Sequence, residues 1–205
     1  MNLKLSIVAG SSRSGAQSKR VADYFADRAM ALFVGIDLYL HDLATSALPA
    51  WDESMWSDEP SELKTAWAPV SNELDTSDAL IVVVPEWHGM VPPALKNFLL
   101  LCKNELANKP GLIVAISASA GGSYPVVELR ASAYKNNRIC WIPDHLIIRS
   151  VKSALVDDTP KNGGEGSDIA ERCDYSLRIL VEYAKALHAV RASGVCEANK
   201  YPFGM

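Results

Sequence analysis

The sequence predicts a three-layer α/β domain, with a parallel sheet sandwiched between helices. Three observations carry this. The runs Ala79–Val84 (ALIVVV) and Leu112–Ile116 (LIVAI) are continuously apolar, as strands covered on both faces are. Five strand-like segments alternate with five of helical period along the chain, and that alternation implies right-handed crossovers. At about 150 residues per domain, 205 residues make roughly 1.4 domains, so one core over 1–205 is expected.

Each element follows from its local pattern. Leu3 to Ala9 reads as a strand that stops at Gly10, and Val21, Tyr24, Phe25 and Leu32 then recur at helical spacing. Ile36 to Leu40 is a second short strand, followed by a long loop over 41–60 containing Trp51 and Trp56. The helix after Pro60 is expected to break at Pro69, which lacks the N–H that a helix interior needs. The strand at 79–84 leads through a loop to Pro92-Pro93, residues a first helical turn accepts, and the helix continues over Ala94 to Lys103. After the strand at 112–116 come a helix at about 125–136, a strand at about 139–149 and the polar loop VDDTPKNGGEGSD. In the last helix Ile169, Cys173, Leu177, Leu180, Ala184 and Leu187 form one apolar stripe that reads as core.

Composition narrows the function classes. Hydrophobic residues are 49% and charged residues 21% of the chain, which is ordinary globular composition and excludes disordered or collagen-like classes. No unbroken apolar stretch exceeds six residues, the length of Ala79–Val84, far below the roughly 20 residues of a membrane helix, and no export signal is read in MNLKLSIVA; a cytoplasmic location is expected. The four cysteines are too widely spaced for a CxxC metal site or a small disulfide framework, so reduced thiols and no metal are expected. A net charge of −4 argues against a nucleic-acid partner. The charges are also unevenly placed. Residues 1–22 carry Lys4, Arg13, Lys19 and Arg20 and no acid, whereas 37–78 carry ten carboxylates against Lys64. An anion is drawn to the first segment.

In open parallel sheets ligands bind beyond the carboxyl ends of the strands, near the point where strand order reverses. Three loops therefore matter. The first, Gly10-Ser11-Ser12-Arg13-Ser14-Gly15-Ala16-Gln17-Ser18-Lys19-Arg20, runs into a helix and joins hydroxyls, cations and free N–H groups at a positive dipole end. Ala16 and Gln17 stand where a P-loop needs Lys and Ser/Thr, and GxGxxG is absent, so a single phosphate monoester is the expected ligand. The second loop is Pro85-Glu86-Trp87-His88-Gly89-Met90-Val91-Pro92-Pro93, in which Gly89 would let the backbone approach a flat ligand. The third, Ser117-Ala118-Ser119-Ala120-Gly121-Gly122-Ser123, offers small residues and exposed N–H groups. Ser119, with Asp144, His145 or His188 as partners, also raises a hydrolase reading, against which Ser117 replaces the first Gly of a GxSxG elbow.

Taken together, Gly10-Ser-Ser-Arg13 with Gln17-Ser18, the Pro85-Glu86-aromatic-x-Gly89 loop leading into Pro-Ala-Leu95-Lys96-Asn97, and the Ser/Gly loop followed by Leu129-Arg130 resemble the NAD(P)H-dependent FMN reductases of flavodoxin-like fold. The resemblance covers residues 3 to 150 and implies a five-stranded sheet of order 2-1-3-4-5. It further implies non-covalent FMN, a hydride from NAD(P)H, and delivery to a quinone, free flavin, azo or oxyanion acceptor. Carried over by position, Ser11, Arg13, Gln17 and Ser18 would hold the FMN phosphate. Pro85, Glu86, Trp87, His88 and Gly89 would line the isoalloxazine, and Ser119, Gly121 and Gly122 would face its pyrimidine side. A homodimer or homotetramer is also implied. No acid or base from the chain is expected to be catalytic, because the flavin carries the hydride chemistry. The alternative is a non-enzymatic flavodoxin-like binding or regulatory protein.

Overall fold

A computed structural model describes residues 2–156, 165–196 and 200, without the side chains of 165–168. The five expected strands are β1 (Lys4–Ala9), β2 (Asp37–Asp42), β3 (Ala79–Pro85), β4 (Pro110–Ile116) and β5 (Cys140–Ile148). All pair in parallel, in the order β2-β1-β3-β4-β5 that the resemblance implies.

Strand alternation splits the core in two. Leu5, Ile7 and Ala9 of β1 face helices α1 (Gln17–Leu32) and α5 (Glu165–Ala192), burying Val21, Phe25 and Ala29 with Cys173, Leu177, Leu180 and Ala184. Val8, Leu80, Val82, Val84, Ile113 and Ala115 point to the opposite face. There they meet α2 (Glu62–Asp75), α3 (Pro93–Leu101) and α4 (Ser123–Ser132). The α5 stripe therefore packs as its period predicts from Ile169 to Ala184, while Leu187 is half-buried outside the core cluster. Part of the preceding polar loop, residues 157–164, lies outside the described residues.

Pro69 does not break its helix. α2 runs unbroken through it, capped at its start by the Ser61 side chain, which accepts the Lys64 N–H. Proline removes one N–H, while Leu63, Trp67, Val70 and Leu74 bury one continuous stripe. Four apolar side chains, each worth about 1.5–3 kcal/mol on burial, outweigh the roughly 3 kcal/mol of an interior proline. The long 41–60 loop is also better anchored than its composition suggests. Its Glu53–Trp56 segment is a 3₁₀ turn, and Asn97 on α3 receives the Trp51 N–H (2.8 Å) and donates to the Pro49 carbonyl (2.9 Å). Trp51 is half-buried edge-on to Trp56, leaving Trp56 as the exposed indole of the pair.

Candidate functional site

Four loops leave the carboxyl edge of the sheet together. Hydrogen bonds continue the ladder past the strand ends: Gly10 N–H to Val83 O (2.9 Å), Glu86 N–H to Ile116 O (3.1 Å), Ser117 N–H to Ile148 O (3.0 Å) and Val151 N–H to Ser117 O (3.0 Å). They enclose a cavity of about 530 Å³, bounded by Ser11, Arg13, Gln17, Pro85, Glu86, Trp87 and His88. Ala16, Ile116, Ser117, Ala118, Val151 and Lys152 complete its wall. This lies within the roughly 300–1,000 Å³ of small-molecule sites.

The first loop leaves several donors open. The residue preceding α1 is Ala16, which cannot cap, so the first N–H groups of the helix have no side-chain partner. Ser18 is 1% exposed, yet its Oγ has no hydrogen-bond partner. Arg13 is exposed, with no ion pair among the described residues, and its N–H is held by Ser11 Oγ (3.2 Å). The other two cations of the segment are already engaged: Lys19 pairs with Asp23 (2.6 Å), and Arg20 donates to side-chain and carbonyl oxygens. The sequence gives them equal weight as attractors of the ligand. The fold reserves the loop's open charge for Arg13.

The second loop is a two-residue hairpin. Trp87 and Met90 exchange N–H···O bonds of 3.0 and 2.9 Å, and the residues between them, His88 and Gly89, have φ of 51° and 72°. Both signs are those of a type I′ turn, which explains the glycine without invoking a ligand. Gly89 does not border the cavity; a Cβ there would point at the Tyr124 ring, 3.7 Å away.

The third loop is held from the second. Glu86 accepts the N–H of Gly122 (2.7 Å) and of Tyr124 (3.3 Å), capping α4 across the gap because Gly122 supplies no cap of its own. Gly122 has φ 110°, and a Cβ there would lie 2.6 Å from Ile147 Cγ2, so only glycine fits. Ser119 is exposed, Gly121 abuts the Glu86 carboxylate, and Gly122 is buried; like Ser18, none of them borders the cavity.

The serine-hydrolase constellation is not assembled. Asp144 is bound by Arg172, and His188 faces Asp78 (3.6 Å) beside the start of β3, at the edge of the sheet opposite Ser119. Burial pushes the thiols of Cys102 and Cys140 up, and that of Cys173 up to about 12.

The residues that carried the resemblance but not the site are braces. Lys96 on α3 pairs with Glu128 on α4, and Glu128 also accepts the Val91 N–H (2.7 Å) that follows the hairpin. Arg130 donates to the carbonyls of Ile142 (2.6 Å) and Pro143 (3.0 Å) on β5.

The profile of the NADPH-dependent FMN reductase family matches residues 3–152, which spans all five strands and ends within the loop after β5. The chain belongs to that family. It is similar to a quinone reductase of Pseudomonas putida, 27% identical over 125 residues, and to an NADPH azoreductase of Bacillus sp. (strain OY1-2), 31% identical over 121. Each alignment covers 58% of this chain, and the chain spans 63% and 60% of those relatives. Among solved structures, a flavoenzyme NAD(P)H:(acceptor) oxidoreductase from Paracoccus denitrificans has a TM-score of 0.66 at 17% identity, covering 90% of this chain and 98% of that one. This likeness shows the shared fold of the FMN reductase family.

Val151 and Lys152 were missed in the sequence, although they directly follow the expected fifth strand. The rule that ligands gather at the carboxyl ends of strands applies to every strand, and applying it to the fifth would have found them.

Proposed function

We propose that this FMN reductase family member is an NAD(P)H-dependent oxidoreductase that holds FMN non-covalently in the cavity and reduces a small quinone or azo acceptor. One observation carries the cofactor: an uncapped helix start and a cation without an ion pair among the described residues meet in the wall of one cavity. Both need an acceptor that the described residues do not supply, and a phosphate monoester satisfies them together.

When bound, FMN supplies the two-electron hydride chemistry. The chain's own task is placement. Arg13, Ser11, Gln17 and the first N–H groups of α1 would hold the phosphate. The Pro85–His88 backbone and the Trp87 indole would flank the ring system. Ala118 would present its backbone N–H to the ring edge opposite, where negative charge collects on reduction. Glu86 keeps that loop in place and is a positioning residue. The names of the quinone and azo reductases to which the chain is similar support the acceptor class.

We also propose that the protein is a homodimer or homotetramer. Met90, Leu100, Tyr124 and Val127, on the hairpin and on α3 and α4 beside the site, are 51%, 59%, 64% and 66% exposed. A neighbouring subunit would cover them.

Adding FMN to the purified protein and following flavin fluorescence, then NAD(P)H oxidation with a benzoquinone, tests the reading. Tight binding with acceptor-dependent turnover is expected. Unperturbed FMN fluorescence would overturn the cofactor assignment, and bound FMN without turnover would favour a non-enzymatic flavin protein. A monomer mass by light scattering at micromolar protein with FMN would sink the oligomer.

A further inference from the structure

We infer that Arg20 and Lys152 complete the anion end of the cavity: Arg20 as a positioning residue that latches the loop after β5 onto α1 and sets the Gln17 amide, Lys152 as the second cation this loop brings to the FMN phosphate. The inference rests on the FMN reading and deepens it.

Arg20 sits one turn into α1, and by charge alone it would be a phosphate ligand. Its geometry assigns it another task. Nε donates to Gln17 Oε1 (2.8 Å), Nη1 to the Leu155 carbonyl (3.0 Å), and Nη2 to the carbonyls of Ala154 (3.0 Å) and Val151. Four bonds occupy most of a donor set that numbers five in all. The guanidinium is thus spent inside the protein.

Two consequences reach the cavity. A guanidinium has no acceptor, so the Gln17 atom facing it is the amide oxygen, and the free end of that side chain is its NH₂. Gln17 borders the cavity. An amide that could serve either sign of charge is thereby fixed as a donor, which suits an anion.

The second consequence is the loop itself. Ser150 and Leu155 both have positive φ, 47° and 56°, which non-glycine residues rarely adopt. The three carbonyls that Arg20 binds lie between or at these two residues, and the Val151 N–H is fixed to Ser117. Held this way, the loop places Val151 and Lys152 in the cavity wall. Lys152 is exposed and has no carboxylate partner among the described residues. Arg13 and Lys152 are the two cations of the wall, and its one carboxylate, Glu86, is turned onto backbone N–H groups. The wall therefore offers a dianion two open charges.

The test measures FMN and riboflavin dissociation constants by flavin fluorescence for wild type, Lys152→Ala, Arg20→Lys and the double variant, with hydrogen exchange of the 150–155 segment in the flavin-free proteins. Lys152→Ala should weaken FMN about three- to tenfold and leave riboflavin unchanged, the size of a partly exposed charge contact. Arg20→Lys keeps the charge but cannot bond three carbonyls and an amide together. It should speed exchange over 150–155, weaken FMN at least as much, and abolish the effect of Lys152→Ala. As a variant that keeps the latch, Gln17→Glu should lower the FMN-to-riboflavin preference while exchange over 150–155 stays slow.

Equal effects of Lys152→Ala in both backgrounds would overturn the positioning role. So would an Arg20→Lys protein that melts earlier yet keeps the wild-type FMN-to-riboflavin ratio, since that is the mark of a merely structural residue. Wild-type protein that binds neither flavin, while Arg20→Lys still speeds exchange over 150–155, would place the failure in the FMN reading rather than in the latch.

Discussion

Replacing Glu86 by alanine isolates the bond that ties the hairpin loop to helix α4. The carboxylate accepts two backbone N–H groups at a helix start, Gly122 at 2.7 Å and Tyr124 at 3.3 Å. A hydrogen bond to a charged group is worth about 1.5–3 kcal/mol, and Glu86 is half-buried, so water partly replaces what is lost and the lower part of that range applies. At about 1.5–2 kcal/mol, and 2–4 °C per kcal/mol in a chain of this size, the melting temperature should fall by roughly 3–8 °C. Glu86→Gln keeps an acceptor oxygen and loses only the charge facing the helix dipole, so it should cost about 0.3–1 kcal/mol.

The same carboxylate sets the cost of a second substitution. A Cβ on Gly121 would lie 2.5 Å from Glu86 Oε1, so Gly121→Ala has to push the carboxylate off the Gly122 N–H. In the Glu86→Ala background that obstacle is gone, and the two changes should cost less together than the sum of each alone. Thermal melting of the four flavin-free proteins by circular dichroism measures both effects. Glu86→Ala within 1 °C of wild type, or Gly121→Ala equally costly in both backgrounds, would refute the capping role.

Three further outcomes are expected. Arg13→Ala removes a charge-assisted phosphate contact of about 1.5–3 kcal/mol, so FMN should weaken roughly 10- to 150-fold while riboflavin hardly changes; an unaltered ratio in fluorescence titration would move the phosphate elsewhere. Gly89→Val strains a residue at φ 72° by about 1–2 kcal/mol and should weaken flavin binding, whereas Gly89→Asn, which tolerates that conformation, should stay close to wild type; asparagine as harmful as valine would mean that contact with a ligand, not the turn, requires the glycine. Burial, partly offset by Asp75, pulls Lys109 down to about 8 from 10.5. Between those values the unfolded chain holds a proton that the native protein has released, so stability rises with pH by at most about 1.4 kcal/mol per unit. Urea unfolding of wild type against Lys109→Met should therefore shift in favour of wild type from pH 8 to pH 10, and a constant difference would contradict it.

The fold was legible where the signal is local. ALIVVV and LIVAI became the central strands β3 and β4, and the α5 stripe at helical spacing became buried core, because side-chain period and sheet burial are properties of a short window of sequence. The family was legible for a related reason: its loops sit at fixed places relative to those strands. Pro69 was misjudged because a local rule was applied to a helix whose opposite stripe is buried by the rest of the molecule. The site was only half legible. Ser11, Arg13, Gln17, Pro85, Glu86, Trp87 and His88 do share one cavity, as loops after neighbouring parallel strands must.

By itself, then, the sequence determined the α/β class, the burial of the central strands and the family, since residue type and spacing suffice for these. Tertiary structure alone decided which charges stay open. Lys19, Arg20 and Arg13 look alike in sequence, yet Arg20 is consumed by carbonyls some 130 residues away, Lys19 by Asp23, and only Arg13 is left to the cavity. It likewise decided that Glu86 caps α4 from the cavity wall and that Lys152 borders the same cavity. A charge acts on whatever lies within a few ångströms of it, and across the carboxyl edge of a parallel sheet those neighbours come from the loops after four separate strands.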